Sequence, residues 1–488
     1  MAEAQNNDKI LHKKAWETMM PCPTATAATA IGVVINDNAN MHRFSLAVLT
    51  ATVHYLYDHE QDDWLPIPSG AFTPAIGAGA CGCFCDWSPA YTATGGTTTT
   101  ITVALNTHNI NGYVIGSTVE FLTGTAANIG LRRTITAIST TGVAGSTITL
   151  TFDTGVTGAV ANNDTFRLSS GSFFFFIGGA LANSFKRFDI GTMSWGAFLS
   201  ISGISATFDG DGRMATAGMI GVSYDSGTAN ADSTTTLLEC DGKNWGTDQW
   251  INYQVRITAG TGMGQIRVIT DNDADTLTIG AGTDLDATSE FVIEGDENTL
   301  LLMGDTAVDV YKYSISAGTW STISVTAARA VAPGTGGSFD FIGKTGDATW
   351  ADITNIQDGR FFYSFRGAGA ATLHRLSLNH GTSGAYTWQT VTYQPALQTF
   401  TTGSSSEWDA GTPDIYIAKE GTAAIPQRFY KFDVVRCALI AVTSDWYLGG
   451  AALIGNKIWI RALSSANLVK WLYCLQSTSQ VLRRIMLF

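Results

Sequence analysis

Apolar and polar positions follow a repeating order along this chain, set out most clearly from Phe173 to Trp195. An unbroken apolar run, Phe173 to Ile177, ends on Gly178-Gly179. A variable loop follows, then the alternating stretch Phe185-Lys186-Arg187-Phe188-Asp189, then a turn into Trp195. A short apolar run bounded by glycine reads as a buried strand, and strict alternation reads as a half-buried one. The unit therefore predicts antiparallel strands of a single sheet.

The unit recurs along the chain. Tyr55-Leu56-Tyr57-Asp58 is followed six residues later by Trp64, Phe188-Asp189 six later by Trp195, and Tyr313-Ser314 six later by Trp320. His374-Arg375-Leu376-Ser377 reaches Trp388 through a longer loop, Asn379 to Tyr386, and Phe429-Tyr430-Lys431-Phe432-Asp433 has Leu439 in the Trp position. A degenerate sixth copy runs from Lys457-Ile458-Trp459-Ile460 through Trp471-Leu472-Tyr473. Apolar partner strands precede the later copies at Leu300 to Met303, Phe361 to Phe365 and Ile415 to Ala418. Self-similarity of this period, with four short strands per unit, predicts an all-β chain built on a six-bladed β-propeller. Such rings are commonly closed by a terminal strand, which either terminus can supply.

Two interruptions break the repeat. Residues 92–170 are Thr-rich and nearly free of charge, and residues 230–296 separate the second and third copies. The interruptions resemble each other. Val119-Glu120-Phe121-Leu122-Thr123-Gly124-Thr125 matches Val255-Arg256-Ile257-Thr258-Ala259-Gly260-Thr261. Leu131-Arg132-Arg133-Thr134-Ile135 matches Gln265-Ile266-Arg267-Val268-Ile269, and Thr165-Phe166-Arg167-Leu168 matches Glu290-Phe291-Val292-Ile293. Each predicts a small β-barrel or sandwich inserted at a surface loop. The expected division is an N-terminal arm at 1–27, a propeller at 28–91, 171–229 and 297–488, and inserted modules at 92–170 and 230–296. The arm is helix-compatible from Asp8 to Met20; it either docks on a neighbouring subunit or is a simple tethered terminus.

Composition narrows the function. Charged residues make up 14% of the chain, against about 25% in an average soluble domain, while 52 glycines accompany 10 prolines. That balance suits strands joined by tight turns, and also a protein that hides surface in an assembly. A net charge of -13 argues against a sequence-specific nucleic-acid binder. No apolar run is long enough for a membrane span. The first residues lack a secretory layout, which reads as synthesis in a bacterial host cytoplasm without export.

Candidate chemistry is sparse. Of seven cysteines, Cys81, Cys83 and Cys85 alternate and share one strand face, either as buried thiols or as metal ligands or intersubunit disulfides. Gly343-Lys344-Thr345 ends like a phosphate loop, but Ser338 stands where its first glycine belongs and no helix follows. Asp271, Asp273 and Asp275 alternate as in a calcium loop, yet Thr276 and Gly282 replace the turn glycine and the bidentate Glu. Asp209-Gly210-Asp211-Gly212 reads as a turn. Ser223-Tyr224-Asp225-Ser226-Gly227-Thr228 resembles half of a sialidase Asp-box, with Ala229 and Asn230 at the expected Thr and Trp positions. His12, His42, His54, His59, His108, His374 and His380 show no metal-ligand pairing. Trp64, Trp195, Trp320 and Trp388 recur at one blade position and read as packing residues, the alternative being a sugar platform. Asp58, Asp189 and Asp433 read as turn formers. The expectation is no enzyme, no catalytic, cofactor-binding or metal site, and no cofactor.

The blade pattern resembles kelch-type propellers, and Trp250 to Asp296 resembles a module common in structural proteins of tailed bacteriophages. The resemblance implies a virion component, located in a tail, neck or capsid appendage, whose partners are copies of itself and other virion proteins. The alternative is a carbohydrate-binding or carbohydrate-processing propeller that recognises a host surface glycan.

Overall fold

The computed structural model describes residues 17–23, 31–33, 44–48, 53–59, 61–67, 81–85, 88, 90–104, 115, 117–141, 147–168, 172–176, 185–189, 194–204, 213–216, 223–251 and 253–294. Beyond these it describes 299–304, 309–315, 317–323, 325–327, 340–342, 361–366, 372–377, 386–394, 405–408, 414–419, 428–443, 457–462, 470–475 and 482–487. Regular structure among them is strand throughout, apart from one short 3-10 turn at Ala126–Asn128. The chain is all-β, as its alternation predicts.

Six sheets carry the repeats. The first joins Ile31–Val33, Phe44–Val48, His54–Asp58 and Asp63–Pro66 in chain order. The second joins Cys81–Cys85, Ser172–Phe176, Phe185–Asp189 and Ser194–Leu199, and the third Arg213–Thr216, Thr299–Met303, Val310–Ser314 and Thr319–Thr322. The fourth joins Asp340–Ile342, Phe361–Phe365, Leu373–Ser377 and Tyr386–Val391, with Val325–Ala327 added in parallel. Ser405–Trp408, Asp414–Lys419, Arg428–Asp433 and Ala438–Thr443 make the fifth. The sixth consists of Lys457–Ala462, Lys470–Leu475, Leu482–Leu487 and, from the other end of the chain, Glu17–Thr18.

The first strands of these sheets are neighbours. Cys81–Cys85 lies against both Ile31–Val33 and Arg213–Thr216; Asp340–Ile342 lies against Arg213–Thr216 and Ser405–Trp408; Lys457–Ala462 lies against Ser405–Trp408 and Ile31–Val33. Spacing in the sequence becomes register in the sheets. Trp64 stands opposite Tyr57, Trp195 opposite Phe188, Trp320 opposite Tyr313, Trp388 opposite Leu376, and Leu439 opposite Phe432. The longer sequence spacing of the fourth copy leaves the pairing of Leu373–Ser377 with Tyr386–Val391 intact.

These side chains fill space between sheets. Phe185 of the second sheet sits 4.9 Å from the ring of Tyr313 and 5.1 Å from that of Trp320 in the third. Trp388 shares a buried cluster with Phe432 and Leu439 of the fifth. Burying a large aromatic side chain contributes about 1.5–3 kcal/mol. The same logic places the cysteines: Cys81, Cys83 and Cys85 share one face, buried with Phe174 from their own sheet and Leu300 and Leu302 from the third.

The N-terminal segment differs from the helix-compatible reading. Glu17–Thr18 is a strand, with Glu17 opposite Arg484 and Thr18 opposite Arg483, while residues 8–16 lie outside the described residues. A short isolated helix is marginal in water, whereas an open sheet edge supplies ladder partners at once. The chain then reaches the first sheet. The Met20 amide donates to Asp62 Oδ1 at 2.9 Å, Tyr57 Oη donates to the same oxygen at 2.5 Å, and Trp64 Nε1 donates to the Met20 carbonyl at 3.0 Å.

The two interruptions form sheets with one strand order. The first runs Tyr91–Thr92, Thr165–Leu168, Thr118–Thr123, Arg132–Thr141, Thr147–Phe152, Thr100–Ala104, Gly95–Gly96. The second runs Ser223–Thr228, Glu290–Glu294, Gln254–Ala259, Ile266–Asn272, Thr276–Ile279, Leu237–Glu239. Each encloses its own apolar core. Ser223–Thr228, which the sequence pattern groups with 171–229, pairs instead with Glu290–Glu294 in the second module. Its Gly227 leaves no room for a Cβ, which would fall 2.9 Å from Cys240 Sγ.

Candidate functional site

The charged residues that the structure gathers lie where the two modules meet. In the first module Val119 and Phe121 point into the core, so alternation turns Glu120 to the opposite face of the strand. Arg132 and Arg167 are its cross-strand neighbours on that face. In the second module Val255 and Ile257 point inward, and Arg256 stands where Glu120 stands in the first. Glu294 faces the seam beside it.

Both carboxylates are buried where the modules meet, with Glu120 0% and Glu294 1% exposed. Arg132 spans the seam, its Nη1 2.7 Å from Glu294 Oε1 and its Nη2 3.4 Å from Glu120 Oε1. Arg167 reaches Glu120 Oε2 at 2.5 Å, and Arg256 Nη2 reaches Glu294 Oε1 at 2.9 Å. Three guanidiniums thus hold two carboxylates in charge-assisted hydrogen bonds. Burial pushes the Glu294 carboxyl up, but the Arg132 and Arg256 charges and hydrogen bonds together pull it below the usual glutamate range.

Equivalent loops also meet at the seam. Gly130 precedes Leu131 as Gly264 precedes Gln265, and both adopt positive φ, 78° and 89°. The modules therefore pair through matching parts, with a Glu in one and an Arg in the other at the matched mid-strand position.

The first module is also tied to the second sheet. Tyr91 Oη donates a short hydrogen bond to Asp189 Oδ2. Burial, then the Asp189 charge, push the Tyr91 hydroxyl well above the usual tyrosine range. Asp189 thus takes a role across elements beside the turn-forming one expected of it, and Asp58 and Asp433 show the turn-forming one directly. Asp58 Oδ1 accepts from the Gln61 amide, and Asp433 Oδ1 from the Val435 and Arg436 amides.

The remaining candidates do not converge. Asp225 of the Asp-box-like stretch takes Lys243 Nζ at 2.9 Å and Trp245 Nε1 at 2.7 Å inside the second module. Asp275 Oδ1 accepts the Lys243 and Asn244 amides, whereas Asp271 faces Asp248. Burial, then the Asp271 side chain, push the Asp248 carboxyl up. His54 Nδ1 accepts from Trp195 Nε1 at 3.0 Å, and His59 and His374 pack edge-on against Tyr57 and Trp388. Among the described residues no group of three or more His, Cys, Asp or Glu is placed to hold a metal ion. Gly343-Lys344-Thr345, Ser338, Asp209-Gly210-Asp211-Gly212, Gly178-Gly179, His12, His42, His108 and His380 lie outside the described residues.

Sequence reasoning matched the two modules but missed their shared seam. The available signal was a charged residue at mid-strand between inward-facing apolar neighbours in both copies, Glu120 and Arg256.

No family model and no curated protein matches the chain. Among solved structures, an auxiliary nutrient binding protein from Bacteroides ovatus is 9% identical over 83% of this chain and 98% of its own, with a TM-score of 0.26. One of the same description from Bacteroides thetaiotaomicron is 11% identical over 83% and 85%, with a TM-score of 0.22. The phage phi92 endosialidase is 11% identical over 89% and 70%, with a TM-score of 0.22. Likenesses at these scores carry no weight for fold or function.

Proposed function

We propose that this chain is a non-catalytic structural subunit of a tailed-bacteriophage particle, acting through protein–protein contacts. In this reading the six sheets are the blades of a kelch-like propeller, a rigid disc, and the paired modules are a fixed projection from it. Supporting the propeller are six sheets whose first strands neighbour one another in cyclic order, and the N-terminal strand that completes the last sheet. Supporting the particle is the resemblance of Trp250 to Asp296, carried by a module with its own core.

The observation that carries the structural role is the seam. Glu120 and Glu294 are buried there and held by Arg132, Arg167 and Arg256. Two carboxylates buried and bridged in this way join two bodies of the chain and support a positioning role.

An antibody raised against the purified chain tests the reading by immunogold electron microscopy of phage particles. Label at one fixed particle position is expected. Absence of label, together with a glycan bound by the purified chain and lost on replacing a single acid, overturns it in favour of a host-recognition propeller.

A further inference from the structure

The two modules share strand order, core and even a bulge, yet differ at their outer face. In the first module Ile148, Leu150 and Phe152 point inward, so Thr147, Thr149 and Thr151 stand outward. In register beside Thr151 lie Ala137 and Thr100; beside Thr149 lie Ser139 and Thr102, with Gly95 beyond; beside Thr147 lies Ala104. All are exposed or half-exposed, and none is charged.

The second module supplies a control within the same chain. Both modules carry a register shift at the same place, after Ile135 and after Ile269. Counting from there, Asp271 opposite Thr278 takes the place of Ala137 opposite Thr151, and Glu239 opposite Thr276 takes the place of Thr102 opposite Thr149. The fold thus accepts two carboxylates on this face. Their absence from the first module is a property of that face, not a demand of the architecture.

Charge identifies the occupant. The chain carries -13, so two copies repel over most of their surface. A neutral face whose hydroxyls both donate and accept is complementary to itself and sets no carboxylate against another, and the cores of protein interfaces are depleted of charge. The charged residues Glu120, Arg132 and Glu294 are already engaged at the seam between the modules. We infer that the threonine face of the first module is the contact between copies of this chain, packed face to face, while the acidic face of the second stays in solvent. The inference rests on the assembly reading above and names its surface.

Light scattering of the full chain tests it through the double variant Ala137→Asp, Thr102→Glu, which gives the first module the carboxylates that the second carries. The unaltered chain is expected to form an oligomer. Facing like charges should weaken self-association by about a hundredfold or more, with the thermal midpoint little changed. Thr149→Lys gives a second reading should the double variant misfold, and Thr276→Glu on the second module should leave the mass unaltered. A variant that keeps the oligomer mass overturns the face and leaves the assembly reading standing. An unaltered chain that stays monomeric at all concentrations overturns the face too, and particle labelling then judges the assembly reading separately.

Discussion

Gly130 and Gly264 meet backbone to backbone at the module seam: a Cβ built on Gly130 would lie 1.2 Å from the Gly264 carbonyl oxygen. Glycine at both positions thus serves close approach as well as positive φ. Gly130→Ala adds a steric clash to the roughly 1–3 kcal/mol of left-handed strain. Gly242, with φ 78° and nothing within 4 Å of its Cβ position, isolates the strain alone. Thermal unfolding is expected to show a larger fall in Tm for Gly130→Ala than for Gly242→Ala.

Glu294 holds two guanidiniums while almost fully buried. Removing one partner of a buried pair costs about 3–5 kcal/mol, because the other charge is left uncompensated. Urea unfolding of Glu294→Ala is expected to show a loss of that size. A conservative change at Asp232, exposed in a turn, should stay within about 0.5 kcal/mol.

The pH dependence follows from the same group. Its folded carboxyl titrates below the usual glutamate range. The stabilisation is therefore complete above the unfolded value and is lost as pH falls through the folded value. Acid titration of stability is expected to show this loss in the unaltered chain and a shallower slope in Glu294→Gln.

Asp62 ties the N-terminal segment to the first sheet through Met20 and Tyr57. Hydrogen bonds to a charged acceptor contribute about 1.5–3 kcal/mol each. Asp62→Ala should therefore lower stability by several kcal/mol, whereas Trp64→Phe, which loses the bond to the Met20 carbonyl and some packing, should cost less. Limited proteolysis near residue 20 is expected to accelerate in Asp62→Ala.

Burial, with the neighbouring Cys85 and Cys81 adding to it, pushes the Cys83 thiol well above its ordinary value. The thiolate is the reactive form. Alkylation at pH 8, followed by peptide mass spectrometry, should leave Cys83 unmodified in the native protein and label it once urea unfolds the chain.

The all-β architecture and the Trp register were legible in the sequence because a period of two fixes the face of every strand residue. Trp388 kept its place opposite Leu376 despite the extended loop, since register is counted within the ladder. Glu120 was illegible for the same reason: alternation turns it away from its own core and says nothing about a second module covering that face. Glu17–Thr18 escaped notice because two residues carry no periodicity; only the open edge of Leu482–Leu487 makes them a strand. Asp189 resembles Asp58 and Asp433 in sequence, and its bond from Tyr91, far away along the chain, had no local signal.

The pairing of Glu17 with Arg484 has a consequence for biosynthesis. The last sheet gains its fourth strand from residues that leave the ribosome long before Leu482–Leu487, and that strand must wait until its partner has been translated. Closing so long a loop is slow and entropically costly. Until then both the Glu17–Thr18 segment and the incomplete sheet edge stay open to aggregation or to pairing with other nascent chains. A ribosome that stops short of residue 482 releases a chain in which Glu17–Thr18 has no edge to join.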